Sequence, residues 1–301
     1  MSVTVRTQDE LDQALADHSD VICIDSDPGV WLSVADSGSS HVVALGSAHV
    51  VALGSARVEA RDSSRVVALG SSHVIASDSA YVKASGSARI EASDSAHVIA
   101  WHSAYVKAWG SALVVARDSS RVEALGSVYV EARGSSHIVA GKYVAVYRYS
   151  QHVTLDAKGP VIDMTAVNLD DPATWCDYHG VHVAEGIAYL YKAVNRQWTT
   201  DRGVDYSPGS TPEAPDWDPD WRGCGHGLHL CADPMQSLAY LGLPADKARF
   251  LRVGVRLDEL VPLGDKVRAR RVVVPCVEVD LFGEVVDRDQ APASASSLSG
   301  E

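Results

Sequence analysis

The chain has 301 residues, 46% hydrophobic and 22% charged, with a net charge of -13. That is room for one large or two ordinary domains with an apolar core. No apolar run is long enough to span a bilayer, no secretory leader pattern opens the chain, and five scattered cysteines suit a reducing cytoplasm better than a disulfide framework. The acidity raises the idea of nucleic-acid mimicry, but its location argues against it. Residues 1–37 hold eight acids and one base, whereas the repetitive block 38–141 holds eight acids and nine bases. A solenoid posing as a polyanion would carry its charge on the repeats. Neither a nucleic-acid nor a membrane partner is expected.

In chain order, residues 3–6 (VTVR) predict a strand and TQDELDQALAD (7–17) a helix. Thr7 and Glu10 stand at capping-box spacing, with Leu11, Ala14 and Leu15 on one side. VICID and VWLSV lead into the first coils, so 1–37 forms an N-terminal cap that shields an otherwise sticky strand edge.

From Gly38 to Gly141 the chain falls into thirteen octads: GSSHVVAL, GSAHVVAL, GSARVEAR, DSSRVVAL and so on. Position two is always Ser, position five Val or Ile, and position seven always Ala. Positions three, five and seven alternate, which on a strand puts them on one face, while positions four, six and eight vary as an outward face would. Gly or Asp followed by Ser supplies a turn. A strand-and-turn unit of fixed period predicts a parallel β-helix, each strand bonded to its counterpart one coil away. Its last coils are expected to reach about residue 164.

Coil size is approached through the outward positions. At position four, a shift of two octads gives no identities in eleven comparisons, and a shift of three gives five in ten. If stacked neighbours correlate, three octads close a coil of 24 residues. That map stacks Arg57, Tyr81, Tyr105 and Tyr129 on one side, beside Glu59, Lys83, Lys107 and Glu131. It stacks His49, His73 and His97 on another, beside Val51, Ile75 and Ile99, with Leu53 and Trp101 at its edge. The apolar stripe Val51, Ile75, Ile99, Leu53, Trp101 is then an interaction face for a protein partner or a second copy. The histidine ladder needs no metal, because a solenoid makes ladders of any residue by repetition.

Residues 165–288 change character and predict a small α+β domain dominated by strands: YLYKAV within 183–195, GLHLC (227–231), ARFLRVGVRLDEL and VRARRVVVPCVEVD. A short helix follows GLHLC, with Asp233 as N-cap and Pro234 at its first position. In KVRARR, Arg268 and Arg270 share a strand face and Arg271 points away, the pattern of a surface strand. The polar tail 289–301 predicts disorder. The expected fold class is thus mainly β: a helix-capped parallel β-helix followed by a small α+β domain.

The octads, YLYKAV, APDWDPDWRGCGHGLHLCADP, FLRVGV and KVRARRVVV together resemble a group of octapeptide-repeat β-solenoid proteins of phages and actinobacteria, which pair such repeats with a C-terminal domain of unknown function. The resemblance spans nearly the whole chain and implies no activity. Two chemistries compete in RGCGHGLHLCAD. Cys224, His226, His229 and Cys231 offer four zinc ligands in eight residues, and Cys176, His179 and His182 offer more. The spacing is not a paired Cys-x-x-Cys pattern, so buried thiols and hydrogen-bonded imidazoles are the simpler reading. The strand–helix rhythm is also similar to ADP-ribosyltransferase-like domains. That similarity implies NAD as cofactor, His229 on the nicotinamide ribose, Tyr191 on the first strand and Glu278 as the acid, although the His-Gly-Thr of such folds is missing. The function these features favour is a non-catalytic solenoid scaffold with a recognition domain. The alternatives are a NAD-utilising enzyme in residues 165–288 and a self-assembling structural solenoid.

Overall fold

A computed structural model describes residues 2–27, 29–221, 225–241, 243 and 247–286. The chain divides into two compact units, one ending at Val167 and the other starting at Asn168. The expected tail 289–301 lies outside the described residues.

The first unit is a parallel β-solenoid of four-residue strands. Ten of them, from Ser2–Val5 to Thr154–Ala157, form one sheet; nine, from Trp31–Val34 to Val161–Asp163, form the other. Helix α1 (Gln8–Ala16) follows the first strand. Thr7 and Glu10 cap it reciprocally, and it buries Leu11 and Ala14 against the solenoid core.

Consecutive octads fall on opposite sheets, and partners lie sixteen residues apart: Arg89 pairs with His73 and with Tyr105, His97 with Tyr81 and Leu113. The coil is therefore two-sided and has 16 residues, not 24. The inward set explains why. Ala48, Val50 and Ala52, and their equivalents Ala96, Val98 and Ala100, are wholly buried. One Val flanked by two Ala fills the slit between two facing sheets, but would leave the lumen of a three-sided coil empty, at the cost cavities carry.

The correction redraws the surface. Arg57 and Tyr105 lie on the first sheet, Tyr81 and Tyr129 on the second. The five residues expected to form one apolar face separate likewise. Ile75 is exposed on the first sheet, while Val51 and Ile99 belong to the second and are half-buried. Leu53 and Trp101 directly follow second-sheet strands, Leu53 half-buried and Trp101 buried. No single stripe unites them.

Neighbouring outward side chains are complementary rather than alike. Glu59 holds His41 at 2.8 Å and Arg61 at 2.6 Å. Burial pushes the Glu59 carboxyl up, but those two bonds outweigh it and hold the group below its ordinary range. Tyr81 packs on His97 at 4.6 Å and Trp31 on His49 at 4.7 Å.

Every octad begins with a residue at positive φ, whether Gly or not: Asp62, Asp78, Asp94, His102 and Asp118 all lie between 51° and 55°. Asp tolerates this conformation better than other side chains. Its carboxylate also has work at the corner. Asp62 accepts from the Gly46 N–H at 2.9 Å, and Asp118 from the His102 N–H at 3.1 Å, each one coil earlier. At Gly110, φ is +71° and an added Cβ would fall 2.8 Å from the Asp94 nitrogen, so only Gly fits.

Two outcomes test this architecture. Parallel neighbours lie about 4.8 Å apart, within disulfide reach. His73→Cys combined with Arg89→Cys should therefore oxidise to a disulfide, whereas His73→Cys with His97→Cys should not; mass spectrometry after mild oxidation decides. Ser64, Ser72, Ser120 and Ser136 occupy inward Ala positions, wholly buried, with hydroxyls that find no hydrogen-bond partner. Ser120→Ala should thus raise stability in denaturant titration by about 1 kcal/mol; a loss would contradict the account.

Candidate functional site

The second unit is a seven-stranded antiparallel sheet. Its main path runs Leu260–Leu263, Lys266–Ala269, Leu228–Cys231, Ile187–Asn195, Ala248–Arg256, Val274–Val279, and Val183–Ala184 pairs beside Ile187–Asn195. Two helices join it. Helix α2 (Pro172–His179) starts at the Asp171 cap and ends at Gly180, φ 70°. Asp-Pro before the helix and Gly after it were visible signals of both ends. Helix α3 (Pro234–Leu238) starts as expected from Asp233, whose carboxylate accepts from the Met235 N–H at 2.8 Å.

The turn from strand Leu228–Cys231 into α3 borders a cavity of about 280 Å³. Lys192 and Ala193 enter it from the neighbouring strand, His229 and Cys231 from this one, Lys266 from the strand beyond. Arg202 and Tyr206 line it from one loop, and Tyr240 from beyond α3. The Lys192 ammonium donates to the His229 carbonyl at 3.1 Å, and the Lys266 ammonium sits 4.1 Å from the Tyr240 ring centre.

Burial, then the cations Lys266, Lys192 and Arg202, push His229 down to about 4, so its imidazole is neutral near pH 7. Burial lowers Lys192 as well and lifts the Cys231 thiol to about 12. Cys231 is thus a protonated thiol, unsuited to nucleophilic attack or to metal as it stands.

Among the described residues, the candidate zinc ligands do not come together. Cys224 lies outside the described residues. His226 is tied to Asp216, through its backbone N–H to the carboxylate and through Nδ1 to the carbonyl, each at 3.1 Å. His229 Nε2 accepts from the Gly225 N–H at 3.1 Å. Cys176 is buried in α2, where burial raises its thiol to about 11; His179 packs on Trp175 at 4.3 Å and His182 faces Tyr189 at 5.4 Å. Among the described residues, no three His, Cys, Asp or Glu converge as metal ligands would.

Of the residues implied for NAD, the cavity receives only His229. Tyr191 pairs with Arg252, and Arg252 with Val277. Glu278 belongs to the adjacent row, with Leu251 and Lys192, and so points to the opposite face of the sheet. It binds Arg249 at 3.2 Å, while Tyr191 sits in a separate recess with His182 and Arg252.

Arg268, expected on a surface strand, is wholly buried. Its guanidinium donates to the carbonyls of His226 at 2.6 Å, Asp218 at 3.0 Å, Gly225 at 3.4 Å, and Trp221. The Trp217 ring lies 5.6 Å away. One side chain thus pins the Asp- and Trp-rich loop that leads into the cavity wall. Arg270 and Arg271 behave as surface residues, paired with Glu213 and Glu259. The fork geometry of Arg is what reaches several carbonyls at once. Lys192 and Lys266 were also missed, because a lysine in a strand shows no sign in sequence of facing a cavity.

Arg268→Met should lower the stability of the intact protein by about 2 kcal/mol, since it removes a buried guanidinium's bonds to several part-buried carbonyls. Arg268→Lys should not restore it. Thermal melting together with hydrogen exchange in residues 216–221 checks both; an unchanged melt and unchanged exchange would refute the clamp.

Residues 188–286 match a family model described as a domain of unknown function, DUF7666. No curated protein and no solved structure matches the chain. No helix among the described residues is long and apolar enough to cross a membrane. The chain therefore joins a β-solenoid to a second unit of which residues 188–286 match that family model, and the matched residues hold the Lys192–His229–Lys266 cavity.

Proposed function

We propose that this protein is a non-catalytic β-solenoid scaffold whose C-terminal domain carries recognition. One contrast supports the reading. The recurrent solenoid positions (corner, Ser, Val or Ile, and Ala) serve the coil itself, whereas the C-terminal domain gathers Lys192, His229 and Lys266 around one cavity. Catalysis through NAD is disfavoured by the placement of Tyr191 and Glu278, which lie outside that cavity. No observation favours end-to-end assembly of the solenoid.

Amine-reactive cross-linking of the intact chain in a cell extract, read by mass spectrometry, tests where partners dock. Partner cross-links are expected at Lys247 and Lys266 of the domain, and none at the exposed solenoid lysines Lys107 and Lys142. Links confined to the solenoid would overturn the assignment. Labelled NAD incubated with the protein should be recovered intact; nicotinamide release that disappears in Glu278→Gln would establish the rival enzyme.

A further inference from the structure

The cavity beside α3 is unusual in its charge. Three cationic side chains line it: Lys192, Lys266 and Arg202. Asp201 is the one carboxylate among its lining residues, and it is exposed at the margin. The nearby acids are engaged elsewhere, since Asp233 caps α3 and Asp265 accepts from the Tyr240 hydroxyl. Among the described residues, neither Lys192 nor Lys266 makes an ion pair; Lys192 has one hydrogen bond, to the His229 carbonyl, for its three donors. Both lysines are half-buried, so water only partly solvates their charges, and an anion seated in the cavity would supply the counter-charge that this wall of the domain lacks.

We infer that this cavity binds a small oxyanion, a phosphate or carboxylate group, held between the ammonium groups of Lys192 and Lys266 with Arg202 at the entrance. The inference deepens the recognition reading and rests on it: the oxyanion would be the charged end of what the domain recognises. Lysine suits the task as a compact, mobile point charge. The volume, about 280 Å³, suits a small ligand. The surroundings add specificity. Tyr206 is buried against the cavity and Tyr240 borders it, so an aromatic wall stands beside the charged end. His229, kept neutral near pH 7 first by burial and then by those same cations, adds no charge of its own to the cavity. The Arg268 clamp fixes the carbonyls of Gly225 and His226, so the wall does not have to be ordered when the ligand arrives.

The test uses the intact chain and two probes, inorganic phosphate and succinate, in isothermal titration calorimetry. Saturable binding of at least one is expected, and the stronger probe identifies whether phosphate or carboxylate is preferred. Lys192→Met and Lys266→Met should each weaken it at least tenfold while circular dichroism and melting stay close to the parent. The bound anion should also move the His229 titration midpoint upward in histidine NMR, because it offsets the cations that add to the effect of burial on the imidazole. Lys107→Met, on the solenoid, should change neither readout.

Absence of binding by both probes at about 10 mM would overturn the inference. So would binding that survives the combined Lys192→Met and Lys266→Met substitutions, or binding that leaves the His229 midpoint in place. If the lysine variants fail to fold, the NMR titration of the parent protein alone decides. Failure here would leave the cross-linking result at Lys247 and Lys266 untouched, so the oxyanion site and the broader recognition role fail separately.

Discussion

The solenoid depends on one constraint: the backbone must reverse at every octad and still stack on the coil before it. Each of the thirteen octads opens with a residue at positive φ, and each stacked corner must satisfy its own peptide groups. Gly meets the first demand by lacking a Cβ. Asp meets both, since Asp62 and Asp118 tolerate the conformation and accept the N–H of the corner one coil earlier. The following Ser continues the ladder through its backbone, as when Ser63 donates to the Gly46 carbonyl and Ser79 to that of Asp62. With the corners bonded coil to coil, the four-residue strands are held in register at both ends, and short strands suffice.

What fills the coil follows from that geometry. Two strands facing one another across a narrow slit leave room for a single branched side chain per strand, flanked by methyl groups. Val98 between Ala96 and Ala100 is the pattern in one line. Volume so dominates that Ser replaces Ala at four wholly buried sites although its hydroxyl goes unpartnered there. The interior is therefore thin and uniform, and the solenoid's strength lies in repetition of hydrogen bonds and small contacts more than in any one residue.

The C-terminal domain is organised differently. Its sheet is antiparallel, and its long strands Ile187–Asn195 and Ala248–Arg256 pair along their full length. Its distinctive feature is a buried cation, Arg268, that donates to several backbone carbonyls. That arrangement shapes a loop rich in Asp and Trp and leaves the neighbouring lysines facing a cavity. A positive charge that shapes a loop and positive charges that line a cavity thus sit within one domain.

The octads by themselves determined the architecture's kind. Alternation of small apolar residues with variable ones dictates strands with one inward face, and the periodic Gly or Asp dictates the corners; both are local properties of the backbone. The capping box at Thr7 and Glu10, and the Asp233–Pro234 helix start, are equally local and equally legible. The number of octads per coil was decided only by tertiary packing. Contact between coils joins unlike neighbours, such as Tyr81 with His97 sixteen residues on, so a lack of identities at that spacing is compatible with contact, and the identities at twenty-four do not mark it. The site was the least legible part. His229 and Cys231 lie two residues apart in the chain and could be noticed there, but Lys192 and Lys266 meet them across strand pairings, and whether Arg268 faces water or the interior depends on a loop some fifty residues away. Sequence order carries no record of such meetings; only the folded sheet brings them about.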